Sequence, residues 1–158
     1  MTFLGIDPGT RRIGYGLVRK ENGSLTYLAA GILDVRSGED NEALRETKRE
    51  LDALIQKWRP DVLAVERLFF AKNAKTAIGV AQARGVVLLA AAERGLSVRE
   101  YGPSEIKMGL TGYGSADKKA VLKMLRLILN KPSLDLIDDA SDALGMAVFA
   151  CQDRTLPG

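Results

Sequence analysis

Phe3-Leu4-Gly5-Ile6-Asp7-Pro8-Gly9-Thr10-Arg11-Arg12 opens the chain with an apolar run that ends on an acid and breaks into a turn. Residues 2–6 carry the short hydrophobic pattern of a buried strand, and Asp-Pro-Gly is a turn signal. Residues 13–18 alternate with glycine, and residues 25–33 form another extended run after the turn Glu21-Asn22-Gly23-Ser24. Strands joined by such short turns form an antiparallel meander. Residues 41–58 then show helical periodicity, with Leu44, Leu51, Leu54, Ile55 and Trp58 on one side, and Arg59-Pro60-Asp61 stops the helix. The unbroken apolar run at 62–65 predicts a strand covered on both faces.

Beyond it, residues 74–94 predict a long helix rich in alanine and glycine, and residues 96–101 a fifth strand. Gly102-Pro103-Ser104 starts a short helix, and residues 109–114 read as a glycine-rich loop. Ser115 is the expected N-cap of a helix running to Leu129, and the last helix spans about 138–151. With the short helix counted together with the one that follows it, the order β-β-β-α-β-α-β-α-α predicts one α/β domain over residues 1–158, a mixed sheet flanked by helices.

Composition narrows the function by exclusion. The 158 residues contain no histidine and a single cysteine, Cys151. That removes Ser-His-Asp and Cys-His triads, histidine bases, histidine zinc sites and disulfides within the chain. No apolar run reaches membrane-span length; the longest, residues 85–92, is bounded by Arg84 and Glu93. The chain starts on a strand-like run without a signal segment, so a cytoplasmic protein is expected. A net charge of +3 and a pI near 9.1 permit a polyanionic partner.

Carboxylates at the ends of distant segments carry the chemistry. Asp7 closes the first strand, Glu66 closes the fourth, and Asp139 and Asp142 head the last apolar helix. Taken singly, each reads as a solvated turn residue, a strand-end charge or a first-turn acid suited to the helix dipole. Together they converge if strands one and four are neighbours. Ala140, Ala143, Leu144, Ala147 and Cys151 form the stripe expected to face the sheet. Asp139 and Asp142 share one flank of it at i and i+3, although Asp138 and Asp142 at i and i+4 also fit. Clustered carboxylates repel, and two Mg²⁺ ions ~4 Å apart would offset that repulsion while activating water for phosphodiester hydrolysis. Mn²⁺ is expected to substitute.

These residues resemble a known family. Gly5-Ile6-Asp7-Pro8-Gly9-Thr10, with Gly14-Tyr15-Gly16 behind it, is similar to the first strand of RuvC-type Holliday-junction resolvases of the RNase H-like superfamily. Val65-Glu66-Arg67-Leu68-Phe69-Phe70-Ala71-Lys72-Asn73, Gln82-Ala83-Arg84-Gly85, Tyr113-Gly114-Ser115-Ala116-Asp117-Lys118-Lys119 and Asp138-Asp139-Ala140-Ser141-Asp142-Ala143-Leu144 resemble further family segments, in order. Ser141 and Gly145 stand where alanines are more usual. The resemblance implies an RNase H-like five-stranded sheet, with three antiparallel strands followed by parallel additions. It implies that Asp7, Glu66, Asp139 and Asp142 are the catalytic, metal-binding carboxylates.

It also implies a homodimer that resolves four-way junction DNA by paired symmetric nicks, alongside the branch-migration proteins RuvA and RuvB. Phe69 would stack on a base, and Lys107 and Lys118 would contact phosphates. Arg11 and Arg12, just past Asp7, are further DNA-binding candidates. Between residues 99 and 131 basic side chains outnumber acidic ones, which a solvated helix face also explains. Competing readings are a related nuclease acting on another structured nucleic acid, a non-catalytic junction-binding module, and an actin-like ATPase, whose second phosphate loop is missing here.

Overall fold

The computed structural model describes residues 1–67 and 74–153, apart from the side chains of Ala74 and Lys75. The opening run forms β1 (Thr2–Asp7), followed by β2 (Arg12–Glu21) and β3 (Ser24–Asp34). After α1 (Asp40–Trp58) come β4 (Val62–Glu66), α2 (Ala74–Glu93) and β5 (Ser97–Tyr101). The described chain then forms α3 (Pro103–Thr111), α4 (Lys118–Ile128) and α5 (Asp138–Ala150). The strands make one five-stranded sheet in the order β3-β2-β1-β4-β5. β1 to β3 are the expected antiparallel meander, and β4 and β5 add in parallel.

Local signals account for the punctuation. Asn22 and Gly23, at φ 50° and 80°, supply the two left-handed residues of the tight β2–β3 hairpin. Arg59 ends α1 at φ 45°, and Pro60 behind it cannot continue the ladder.

Strand parity divides the core into two faces. Leu4, Ile6, Ile13, Leu17 and Leu63 pack with Leu51, Leu54 and Ile55 of α1 and with Val87, Ala90 and Ala91 of α2. Phe3, Val18, Val62 and Ala64 face the other way, into Leu110, Val121, Leu125 and Leu144 of α3, α4 and α5. Asp7 shares the parity of Phe3, and Glu66 that of Val62, so both acids belong to the α5 face.

Helix α5 lies across β1 and β2. Glycine makes this possible: a Cβ on Gly5 would strike the Ala143 carbonyl, one on Gly14 the Asp139 carbonyl, and one on Gly16 the Leu144 backbone. Gly5 pairs with Gly16 and Asp7 with Gly14, so the seat is continuous with the acidic end of β1.

Several expectations need correction. The sheet-facing stripe of α5 widens to burial nearly all round, with Ser141, Gly145, Met146 and Val148 also covered, because α3 and α4 pack over it. Residues 109–111 belong to α3 rather than to a glycine-rich loop, and the helix ends at Gly112, at φ 82°. The cap of α4 is Asp117, whose carboxylate accepts the Ala120 N–H at 2.8 Å; Ser115 sits in the preceding turn. A charged acceptor on the dipole's positive end is the stronger cap. Residues Thr76–Glu93 of α2 are, by length and composition alone, apolar enough to cross a membrane, although Arg84 and Glu93 keep the uninterrupted run as short as expected. Its many alanines raise the average without making a bulky apolar stretch.

Candidate active site

Two strand ends and one helix start build the site. In the parallel pair, Ile6 lies beside Val65, so the next residues, Asp7 and Glu66, are neighbours projecting from the same face. The glycine seat brings the first turn of α5 down onto β2 beside them, which carries Asp139 and, one turn on, Asp142 to the same end of the sheet. Ile137 caps α5 in an extended conformation without a side-chain bond, and Asp138 and Asp139 lie in the first turn, where the helix dipole favours negative charge.

The carboxyl groups feel one another. Asp7 is pushed up to about 7, first by burial and then by the charges of Asp142, Glu66 and Asp139, with Lys118 opposing. Burial and Asp142 raise Glu66, with Lys107 opposing. Asp142 is raised chiefly by burial, against the pull of Lys118. Lys118, the first residue of α4, places Nζ 3.0 Å from Asp138 and 3.6 Å from Asp142. Arg12 reaches Asp139 at 3.2 Å. Glu66, Lys107, Lys118 and Asp142 line one cavity, floored by Val121, Gly145 and Met146.

Among the described residues, no three such side chains are drawn into a closed metal cage. Lys118 and Arg12 pull Asp138, Asp142 and Asp139 towards themselves, so the acids share one electrostatic cluster without sharing one point. The donor set is oxygen only and carries excess negative charge that burial makes costly. That set fits a hard divalent cation, and Asp7, Glu66, Asp139 and Asp142 compose it.

The remaining candidates divide. Asp138 is 68% exposed and Asp139 33%, so Asp139 is the more enclosed of the pair. Lys107, Lys118 and Arg12 lie at the cluster. Arg11 turns away, bonding Asp40 at 2.8 Å and the Gly38 carbonyl at 3.0 Å at the start of α1. Phe69 and Phe70 lie outside the described residues. Sequence reasoning gave Arg84 no role, yet it donates to the main-chain carbonyl of Glu66 at 3.3 Å and pairs with Glu100 at 2.8 Å. A lone arginine inside a helix of small and apolar residues was the available signal.

A mixed sheet of this order, with acids closing β1 and β4 and heading a helix laid on the same face, defines an RNase H-like domain with an acidic site. Residues 3–150 match the family model described as crossover junction endodeoxyribonuclease RuvC. The protein of that description from Chloroflexus aurantiacus is 45% identical over 158 residues, spanning 99% of this chain and 95% of its own length. The one from Syntrophomonas wolfei is 45% identical over 149 residues, spanning 94% and 87%. Among solved structures, Thermus thermophilus RuvC in complex with a Holliday junction substrate aligns at a TM-score of 0.88 and 31% identity, over 96% of this chain and 93% of that one. The yeast mitochondrial Holliday junction resolvase Ydc2, at a TM-score of 0.64 and 16% identity over 93% and 77%, shares the fold. The chain belongs to the RuvC family of crossover junction endodeoxyribonucleases, nucleases that depend on divalent cations.

Proposed function

We propose that this protein resolves four-way (Holliday) DNA junctions in recombination and repair by paired, symmetric hydrolytic nicks. The observation that carries the reading is the convergence of Asp7, Glu66, Asp139 and Asp142 on one face, all within the residues 3–150 that the family model matches. Burial together with their mutual repulsion, which lifts Asp7 to about 7, supports a site built to hold cations. We assign these four carboxylates as the ligands of two Mg²⁺ ions, with Mn²⁺ able to replace them. When bound, such ions supply water activation and charge for the departing oxygen, the work that histidine does elsewhere.

The cations of the chain hold the substrate. Lys107 and Lys118 contact phosphates flanking the scissile bond, Lys118 exchanging its ion pairs with Asp138 and Asp142 for a phosphate oxygen. Arg12 does the same from the other side of Asp139. Phe69 stacks on a base opened at the crossover. A homodimer supplies the second nick, and the exposed Ile78 and Leu89 of α2, with half-buried Val86, are the surface it uses. The reading places the protein in the cytoplasm alongside RuvA and RuvB.

Incubation with a synthetic mobile four-way junction and Mg²⁺ tests this. Paired nicks in strands of like polarity are expected. Equal cutting of linear duplex, or tight junction binding without any cutting, would refute it.

A further inference from the structure

We propose that Arg84 is a positioning residue that holds Glu66 in register with the other acids by standing in for a ladder hydrogen bond that Pro8 cannot make. The N–H of Arg67 donates to the Tyr101 carbonyl of β5 at 2.9 Å. The peptide between Glu66 and Arg67 is trans, so the Glu66 carbonyl points the opposite way, towards β1. With Ile6 beside Val65 in the parallel register, the next donor on that side is the N–H of residue 8. Residue 8 is proline and has none. A carbonyl at the mouth of a carboxylate site is thereby left without its ladder partner.

Arg84 supplies the donor. Its side chain is only 13% exposed, and Nε lies 3.3 Å from the Glu66 carbonyl oxygen. Glu100 of β5 fixes the other arm of the guanidinium at 2.8 Å, and the Glu100 carbonyl accepts a further bond from Arg67 at 3.0 Å. Glu100 lies beside Val65, on the sheet face opposite the acids, so the clamp grips the strand end from behind. It touches backbone, not carboxylate: the groups that perturb Glu66 are Asp142 and Lys107. A planar fork that spans carbonyl and carboxylate together is the property a lysine lacks.

The inference rests on Glu66 being a metal-holding acid, and the test separates the two. Three quantities are measured for Arg84→Met and Arg84→Lys: single-turnover cleavage of a synthetic four-way junction across an Mg²⁺ titration, junction affinity in chelator, and the Mg²⁺-induced rise in melting temperature. Arg84→Met should cut about 10–100-fold more slowly at limiting Mg²⁺, as expected when a partner of a ligand is lost. Its melting shift should need correspondingly more Mg²⁺, while its junction affinity in chelator stays within about twofold of wild type. Arg84→Lys should recover little of the loss. Should Arg84→Met melt early, Glu100→Gln, which weakens the anchor and leaves Arg84 in place, should show a smaller Mg²⁺ shift at unchanged stability. Full rescue by lysine, or slow cutting that tracks lost stability with no Mg²⁺ shift in any variant, would overturn the clamp. Wild-type behaviour of Arg84→Met beside an inactive Glu66→Gln would overturn it alone. An active Glu66→Gln would overturn the reading of the site and the clamp with it.

Discussion

Asp7→Asn should abolish cleavage and stabilise the fold. In the native cluster the Asp7 carboxyl ionises near pH 7 instead of 3.8, because burial and three neighbouring acids oppose its charge. Between those values the folded chain keeps a proton that the unfolded chain has released. This group's contribution is therefore most favourable at low pH and is lost as pH rises from about 4 to 7. The rise from 3.8 to about 7 corresponds to about 4 kcal/mol at pH 8. Asparagine must find hydrogen bonds of its own at the same place, so about 2–4 kcal/mol should survive. For a domain of this size that raises the melting midpoint by about 4–16 °C.

The assay is paired thermal melting of wild type and Asp7→Asn in chelator, at pH 5 and pH 8. The variant should melt higher at pH 8, and the gap should shrink at pH 5, where the wild-type carboxyl is protonated. Saturating Mg²⁺ should then reverse the order, since the wild type gains binding energy that the variant forgoes. A variant that melts at or below wild type at pH 8, or a gap independent of pH, would refute the electrostatic reasoning.

Other substitutions probe the remaining parts of the site. Asp139→Asn should eliminate cleavage, whereas Asp138→Asn should only loosen Lys118 and lower the rate by no more than the ~10–100-fold of losing a ligand's partner; the reverse result would exchange their roles. Gly16→Val should lower stability by more than the ~1–3 kcal/mol of ordinary overpacking, because the new side chain meets the Leu144 backbone, and a melting curve reads it directly. Lys118→Ala should weaken junction binding and reduce the salt slope by about 1, measured by titration at several salt concentrations. Phe69→Ala should cost one to two decades in cleavage at unchanged stability, from ~1–3 kcal/mol of lost stacking, with Phe70→Ala as comparison; early melting with normal cutting would remove the stacking role.

What the sequence made legible was local, and what it concealed depended on topology. Asp-Pro-Gly, Asn22-Gly23 and Arg59-Pro60 state their turns outright, and the element order followed from them with boundary shifts of up to three residues. Each acid was visible at the end of its segment, but its partner was not. Asp7 and Glu66 become neighbours only because β4 chooses β1, and nothing near either residue encodes that choice. The same holds for α5. Gly5, Gly14 and Gly16 read as ordinary strand glycines until the helix is laid on them, when each proves to be a place where a backbone must sit.

Spacing could not divide Asp138 from Asp139, because both are compatible with Asp142; in the fold Asp139, paired with Arg12, is the more enclosed of the two, and Asp138, paired with Lys118, the more exposed. Pro8 is the most instructive case. Its ring reads as punctuation for a turn, yet a residue without an N–H beside a parallel strand also implies a carbonyl that must be satisfied from elsewhere. Once β4 lies beside β1, that carbonyl is Glu66's own, and the neighbouring strand has no N–H to offer it. Arg84, the lone arginine of α2, is the side chain that answers it.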